Sequence, residues 1–179
     1  MTLILLQPGD VEIFGGEGGW SGDGSALASQ LLEIIGDSGP TFPLLSSSQT
    51  IEAPPSSGAP LASPNLVCTR VSDRLSVILY SYCARKTPIG AGRDRPSTLF
   101  MAWNPAPGSF ALMTYALDNA TIESITMRSA GDSPSEQFTL TFDEVIYTYD
   151  TYSGTNPLPS QTKLGWSYKT NQPIEQFSN

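Results

Sequence analysis

Residues 136–150 read EQFTLTFDEVIYTYD, and their apolar side chains recur at every second position. Two apolar sets follow each other in opposite phases, Phe138, Leu140 and Phe142 and then Val145, Tyr147 and Tyr149. A period of two residues is typical of a β-strand with one buried face. The change of phase predicts a β-bulge near Asp143 and Glu144, which would bend one long strand.

Further segments rich in β-branched and aromatic residues lie on both sides of this stretch. They cover residues 2–6, 11–14, 66–71, 97–103, 110–117, 121–128 and 163–169. Turn-forming pairs such as Asn104-Pro105 and Asp118-Asn119 separate them, which indicates consecutive antiparallel strands. We therefore expect a mainly β fold, a small antiparallel β-barrel or sandwich with a helix packed outside it. A barrel of this size fills its interior with side chains, so a ligand cavity is not expected.

One packed α-helix is predicted at about residues 74–86. Its apolar residues follow the spacing i, i+3, i+4, i+7 and i+8 of a single helical face: Leu75, Ile78, Leu79, Tyr82 and Cys83. Ser72 or Asp73 can cap the start, and Thr87-Pro88 ends the helix because a residue before proline avoids helical geometry. Residues 25–35 (SALASQLLEII) fit either a helix or a strand.

A proline- and serine-rich stretch at residues 38–64 predicts a long extended loop. It holds six Pro, seven Ser and two Gly in 27 residues, a composition that supports neither a strand ladder nor an apolar helix face. Phe42, Leu44 and Leu45 are apolar residues that a solvated linker would not need. We interpret the segment as an arm that docks on another surface, with a plain surface loop as the alternative.

The charges are segregated along the chain, whose formal net charge is −8. Residues 1–66 contain seven acids and no Lys or Arg, whereas residues 67–95 carry a net charge of +4. Four bases form a basic island in the second segment: Arg85, Lys86, Arg93 and Arg95. Opposite charges on one chain favour head-to-tail association of identical subunits. Alternatively, the two blocks meet within one monomer. The acidic balance argues against a nucleic-acid partner.

Several functional classes are excluded or disfavoured by composition. Histidine is absent, which removes Ser-His-Asp and Cys-His catalysis and histidine metal sites. Two cysteines, Cys68 and Cys83, are too few for a disulfide scaffold. The glycine-rich residues 15–24 lack the spacing and the basic residues of a phosphate loop. No apolar run is long enough to cross a bilayer, and no cleaved export signal is visible.

We therefore expect no catalytic, cofactor-binding or metal-binding residues. Two other classes stay open. A glycosidase would need only a pair of carboxylates, such as Asp143 with Glu144 or Glu17 with Asp23. A carbohydrate-binding β-sandwich would use an aromatic platform, for which the candidates are Trp103, Trp166, Tyr147, Tyr149 and Tyr152.

The order and spacing of several motifs resemble the Hcp (haemolysin-coregulated protein) family of type VI secretion tube proteins. They are MTYALDNATIESITMRS (113–129), PSEQFTLTFDEVIYTYD (134–150) and LGWSYKTNQ (164–172). The stretch SDRLSVILYSYCARKTPIG (72–90) also resembles the single helix of that family. The resemblance covers about residues 66–175 and is weak over residues 1–65.

The resemblance implies a single domain over residues 1–179, with 38–64 as an extended arm that contacts a neighbouring subunit or ring. It implies a structural protein, not an enzyme, that forms homohexameric rings stacked into a hollow tube. The implied partners are other copies of the chain, a contractile sheath, spike or tip proteins, and effector cargo in the lumen. The tube would be cytoplasmic before firing and then secreted without a cleaved signal peptide. Phage-tail tubes and related contractile injection particles share the resemblance.

Overall fold

The computed structural model describes residues 2–16, 18–36, 39–52, 54, 56, 59–62, 64–90, 94–129, 133–153 and 160–178. The mainly β class predicted from the sequence is confirmed. Eleven strands occur in the described chain, all paired antiparallel: β1 Thr2–Gln7, β2 Phe42–Leu44, β3 Ser46–Thr50, β4 Asn65–Val71, β5 Ser97–Trp103, β6 Ser109–Asp118, β7 Thr121–Arg128, β8 Ser135–Thr141, β9 Glu144–Ser153, β10 Ser160–Ser167 and β11 Gln172–Ile174.

The strands form two sheets that face each other. The larger has seven strands in the order β11-β10-β9-β6-β5-β1-β2, and the smaller has four in the order β3-β4-β8-β7. Within the described residues these sheets stay separate and do not join as one closed barrel. The main core lies between them and includes Leu66, Phe138 and Leu140 from the small sheet and Leu99 and Leu117 from the large one.

Residues 136–150 form two strands in different sheets, so the prediction of one bulged strand is wrong. β8 belongs to the small sheet and β9 to the large sheet, and Phe142 and Asp143 carry the chain between them. The Asp143 N–H donates to the carbonyl of Asp118 at 3.0 Å, and the Asp143 carbonyl accepts from the Tyr168 N–H at 2.9 Å. The apolar phase changes here because both strands direct their apolar residues at the same core from opposite sides.

The predicted helix is confirmed as α2, Leu75–Arg85. The Asp73 carboxylate accepts a hydrogen bond from the Leu75 N–H at 2.8 Å. Lys86 adopts φ +52° just after the last turn, a left-handed conformation that commonly ends helices. Leu79 and Tyr82 enter the main core, and the Tyr82 hydroxyl donates to the Asp10 carboxylate at 2.7 Å.

A second α-helix corrects the prediction of a single one. The ambiguous segment folds as α1, Ala26–Ile35, and the Ser25 hydroxyl accepts from the Ala28 N–H at 3.1 Å as its N-cap. Its buried residues Leu27, Ala28 and Leu31 pack on the face of the large sheet opposite the main core. A smaller hydrophobic core results, which also holds Leu3, Leu5, Phe100, Ala102, Phe110 and Leu112. In addition, Val11–Phe14 is a 3₁₀ helix and not the predicted strand.

The segment predicted as a loop at residues 38–64 begins with two strands. β2 pairs with β1 and β3 pairs with β4, so residues 42–50 form an edge of both sheets. Further along, the Asn171 side chain holds the segment in place, because its Oδ1 accepts from the Leu61 N–H at 3.2 Å and its Nδ2 donates to the Ala59 carbonyl at 3.4 Å. The described part of this stretch is therefore anchored to the rest of the domain.

Neither described α-helix has the length and apolar content that a bilayer span requires.

Candidate subunit interface

The three apolar residues proposed as arm contacts separate into two classes. Phe42 is 2% exposed, and its ring centroid lies 6.3 Å from that of Phe14 and 6.5 Å from that of Phe138. Leu44 is also buried, in the same core. Leu45 lies at the corner between β2 and β3 and is 61% exposed. Of the three, only Leu45 has a side chain that is exposed in this conformation.

The basic island lies at two places in the described structure. Arg85 and Lys86 are exposed at the C-terminal end of α2, where the Arg85 Nε donates to the Ser81 carbonyl at 3.3 Å. Their charge favours this position because a helix C-terminus carries partial negative charge. Arg95 is exposed in the segment before β5, and Arg93 lies outside the described residues.

The backbone of Arg95 is held tightly against the segment that follows β1. A Cβ atom on Gly9 would lie 1.8 Å from the Arg95 carbonyl oxygen, so only glycine fits at this position. The Asp10 N–H donates to the Ile89 carbonyl at 2.9 Å beside it. The Arg95 main chain is thus fixed while its side chain remains exposed.

Sheet edges supply further contact surfaces. Among the described residues of the large sheet, β11 pairs with Gly165, Trp166 and Ser167 of β10, and residues 160–164 of β10 pair with β9 alone. In the small sheet, β3 and β7 are the two edges. Unpaired strand edges readily bind other strands unless something covers them.

The exposed face of α2 is a surface that sequence reasoning missed. Val77 is 75% exposed and Tyr80 51%, and Met127 of β7 beside them is 55% exposed. A signal was present, since residues 75–84 contain no charged side chain. A helix with only one face in a core usually carries charges on its other face.

The carboxylates considered for glycoside hydrolysis are engaged in structural contacts. Asp143 forms a 2.9 Å ion pair with Lys169 and accepts from the Asn119 side chain at 2.9 Å. Glu144 is 1% exposed and accepts from the Ser178 hydroxyl and N–H at 2.6 and 2.7 Å. An acid pair that flanks a sugar must reach an open cleft, which a buried Glu144 does not. Of the other pair, Glu17 lies outside the described residues.

Glu144 lies opposite a second buried carboxylate, Asp118, and the pKa values of the two groups shift in opposite directions. Burial raises the pKa of Asp118, which pairs with Glu144 across β6 and β9. Burial also opposes ionisation of Glu144, but the hydrogen bonds from Ser178 outweigh it and hold the pKa of Glu144 below its ordinary value. Within the described chain no cluster of Cys, Asp and Glu has the arrangement to hold a metal ion.

The aromatic residues do not form one platform. Trp103 and Tyr149 pair at 6.0 Å between centroids, while Tyr147 and Trp166 pack against the main core. Tyr152 packs on Phe110 at 5.5 Å, on the face that α1 covers. Tyr152 therefore lies on the opposite face of the large sheet from the other four, and Tyr147 and Trp166 are engaged in core packing. The five side chains do not present one shared sugar-binding surface.

Both cysteines are free thiols. Burial raises the pKa of Cys68 to about 12, which leaves this thiol unreactive at neutral pH.

Solved structures with the same architecture cover nearly the whole chain. Hcp1 from Salmonella typhimurium superposes with a TM-score of 0.62 at 20% identity, covering 97% of this chain and 99% of that one. A type six secretion system protein gives a TM-score of 0.63 at 17% identity, with 97% and 100% coverage.

The fold is that of Hcp. The secreted protein Hcp3 from Pseudomonas aeruginosa agrees, with a TM-score of 0.55 at 12% identity over 87% of this chain and all of that one. By sequence, no protein-family model and no curated protein matches this chain. The structural match to Hcp1 extends over the N-terminal third, where the sequence resemblance is weak.

Proposed function

We propose that this chain is a structural subunit of a type VI secretion inner tube. Copies would assemble into homohexameric rings, and the rings would stack into a hollow tube that a contractile sheath propels. The observation that carries the proposal is the Hcp fold, matched over 97% of the chain and 99% of Salmonella Hcp1. In this role the protein acts through its contact surfaces and needs no catalytic residues.

Two properties of the chain support self-assembly. The large sheet ends in edges that are only partly paired, and ring closure would cover them. Positive and negative charges also lie in different parts of the chain. All charged residues in 1–66 are acidic, whereas residues 67–95 carry a net charge of +4. A heterologous contact between unlike surfaces can close into a ring.

The further partners follow from the same proposal. A sheath would surround the tube, spike or tip proteins would lie at its end, and effectors would travel in its lumen. The subunit would leave the cell through the secretion apparatus. A secretion assay with and without a working sheath tests this part, because release that persists without the sheath would contradict it.

The assembly state is the primary test. Native mass spectrometry and negative-stain microscopy of the purified chain should show rings of six copies with a central hole. A chain that stays monomeric at high concentration would overturn the proposal, and turnover of a glycoside would support the glycosidase alternative. Tryptophan fluorescence that responds to sugars would favour the carbohydrate-binding alternative.

The basic island is tested separately. Replacing Arg93 and Arg95 by Glu should weaken ring formation and remove part of its salt dependence, because like charges would then face each other. Sedimentation velocity at low and high salt measures both. An unchanged ring mass with an unchanged salt response would exclude these two residues from the interface.

A further inference from the structure

The face of α2 that points away from the core is apolar. The core side of the helix carries Leu75, Leu79 and Tyr82, all buried. The opposite side carries Val77 and Tyr80, which together with Met127 of β7 we call the α2–β7 patch. A groove of about 480 Å³ runs along it, lined by Ser76, Val77, Tyr80, Ser81, Ala84 and Met127.

Such a surface is unusual on an isolated subunit. A helix that is apolar on all sides is normally buried on all sides, and a contiguous exposed apolar patch commonly marks a protein interface. Three small side chains, Ser76, Ser81 and Ala84, line the groove beside Val77 and Tyr80. Basic residues lie at its ends, with Arg85 and Lys86 after the helix and Arg128 at the end of β7, all exposed.

The opposite edge of the same sheet has complementary properties. In the small sheet β7 and β3 are separated by β8 and β4, so they face opposite sides of the subunit. Next to β3 lie two exposed apolar side chains, Leu45 at 61% and Ile51 at 59%. Ile51 is followed by the exposed acid Glu52, and no Lys or Arg occurs in residues 1–66.

We propose that the α2–β7 patch of one subunit binds residues 45–52 of a second copy. Leu45 and Ile51 would cover Val77, Tyr80 and Met127, and Glu52 would meet the basic residues at the ends of the patch. The inference rests on the proposed function, since it names the partner surfaces of the ring contact. Because the two surfaces lie on opposite edges, the contact is heterologous and repeats head to tail.

A second copy fits better than an unrelated partner for two reasons. Charge complementarity is supplied by the chain itself, with Arg85, Lys86 and Arg128 at the ends of the α2–β7 patch and Glu52 in the segment that would cover it. Each surface also leaves apolar side chains exposed that the other would cover.

Cross-linking between two differently tagged variants tests the contact directly. One variant carries Val77→Cys and the other Leu45→Cys, both with Cys83→Ser to remove the half-buried native thiol. Mixed and treated with a short bismaleimide, they should give a product with the summed mass of the two tagged chains. Each variant alone should give little, because the contact joins unlike surfaces. A product from Val77→Cys alone, or no mixed product from material that forms rings, would overturn the inference.

Substitutions separate this inference from the proposed function. Val77→Glu and Ile51→Lys should each weaken association at least tenfold, measured by sedimentation velocity. Ile34→Glu on the exposed side of α1 is the matched control and should change nothing. Rings that survive both test substitutions would refute the contact and leave the tube function standing. A wild-type chain that never associates would refute both. Circular dichroism checks that each variant is folded. We expect all three to fold, because the substituted positions are exposed.

Discussion

The core between the two sheets and the core beneath α1 are built differently. The first collects buried side chains from strands of both sheets, from α2 and from the 3₁₀ helix. In the described part of the chain, the second collects them from α1 and one face of β1, β5 and β6 alone. The first also borders a buried ion pair, Arg70 with Glu136 at 2.7 Å, with side chains 2% and 0% exposed. The difference suggests that one core holds the domain together, while the other fastens a helix to its surface.

The largest effect should come from the ion pair beside the main core. Arg70→Ala should lower the free energy of unfolding by about 3–5 kcal/mol, because it leaves the Glu136 carboxylate buried without its partner. Arg70 also binds Asp73 at 2.5 Å, and its guanidinium carbon lies 4.8 Å from the centre of the Phe42 ring. Urea denaturation at equal subunit concentration measures the change.

A double substitution checks the cause. Arg70→Met with Glu136→Leu should recover much of the loss, because buried charges exchanged for apolar groups of similar volume are often tolerated. If the double variant is no more stable than Arg70→Ala, the packing of the arginine matters more than its charge.

A matched pair of leucines compares the two cores themselves. Leu79 of α2 and Leu31 of α1 are both 0% exposed. Replacing a buried leucine by alanine costs about 2–5 kcal/mol, depending on how well the site collapses around the cavity. We expect Leu79→Ala near the upper end and Leu31→Ala near the lower end, since α1 can shift toward the sheet. Equal losses in urea denaturation would mean that α1 is as integral as α2.

The main core is the more predictable of the two. Alternation in residues 136–150 correctly identifies Phe138 and Leu140 as buried, and the helical spacing in α2 does the same for Leu79. The predicted bulge is wrong because alternation reports which side chains face a core and not which sheet carries them. A change of sheet and a bulge both shift the phase by one residue.

The sequence also contained evidence for the layer formed by α1, which the search for alternating apolar residues did not detect. The stretches TLILL and TLFMA in β1 and β5 are apolar at consecutive positions, which indicates strands buried on both faces. A further element had to cover the second face of these strands. That requirement favours the helix over the strand for residues 25–35. Among the interface candidates, the sequence could not predict that Leu45 is exposed and Phe42 is buried. Composition alone does not show which side chains of the segment face inward.

A contact outside both cores, between Ser178 near the C-terminus and Glu144 of β9, should respond to pH. The pKa of Glu144 is below the ordinary 4.5, because Ser178 donates two hydrogen bonds to its carboxylate. Proton binding therefore favours the unfolded chain. The stabilisation is complete above about pH 4.5 and is lost as the pH falls through the lowered pKa. The raised pKa of Asp118 acts in the opposite direction, because its protonation favours the folded chain.

Ser178→Ala isolates the contribution of this contact. It should lower the free energy of unfolding by about 1.5 kcal/mol near neutral pH, as expected for a hydrogen bond to a charged group. The difference from wild type should shrink in strongly acidic buffer, where Glu144 is protonated. Urea denaturation at the two pH values measures this difference in the free energy of unfolding. Glu144→Gln is the reference, because it has no carboxylate at position 144 to titrate. A difference that stays constant with pH would rule out Glu144 as the acceptor that matters.

The smallest expected effect probes whether α1 opens on its own. Ser25→Ala removes the oxygen that accepts from the Ala28 N–H at 3.1 Å, and the loss of such a cap costs about 1 kcal/mol. If α1 is a fastened surface layer, its amides should exchange hydrogen roughly fivefold faster while those of β8 keep their rates, because only local opening is affected. Ser25→Asp, which keeps an N-cap acceptor, should restore slow exchange in α1. Equal acceleration in α1 and β8 would show that the helix opens only when the whole domain unfolds, and the two cores would then form one cooperative unit.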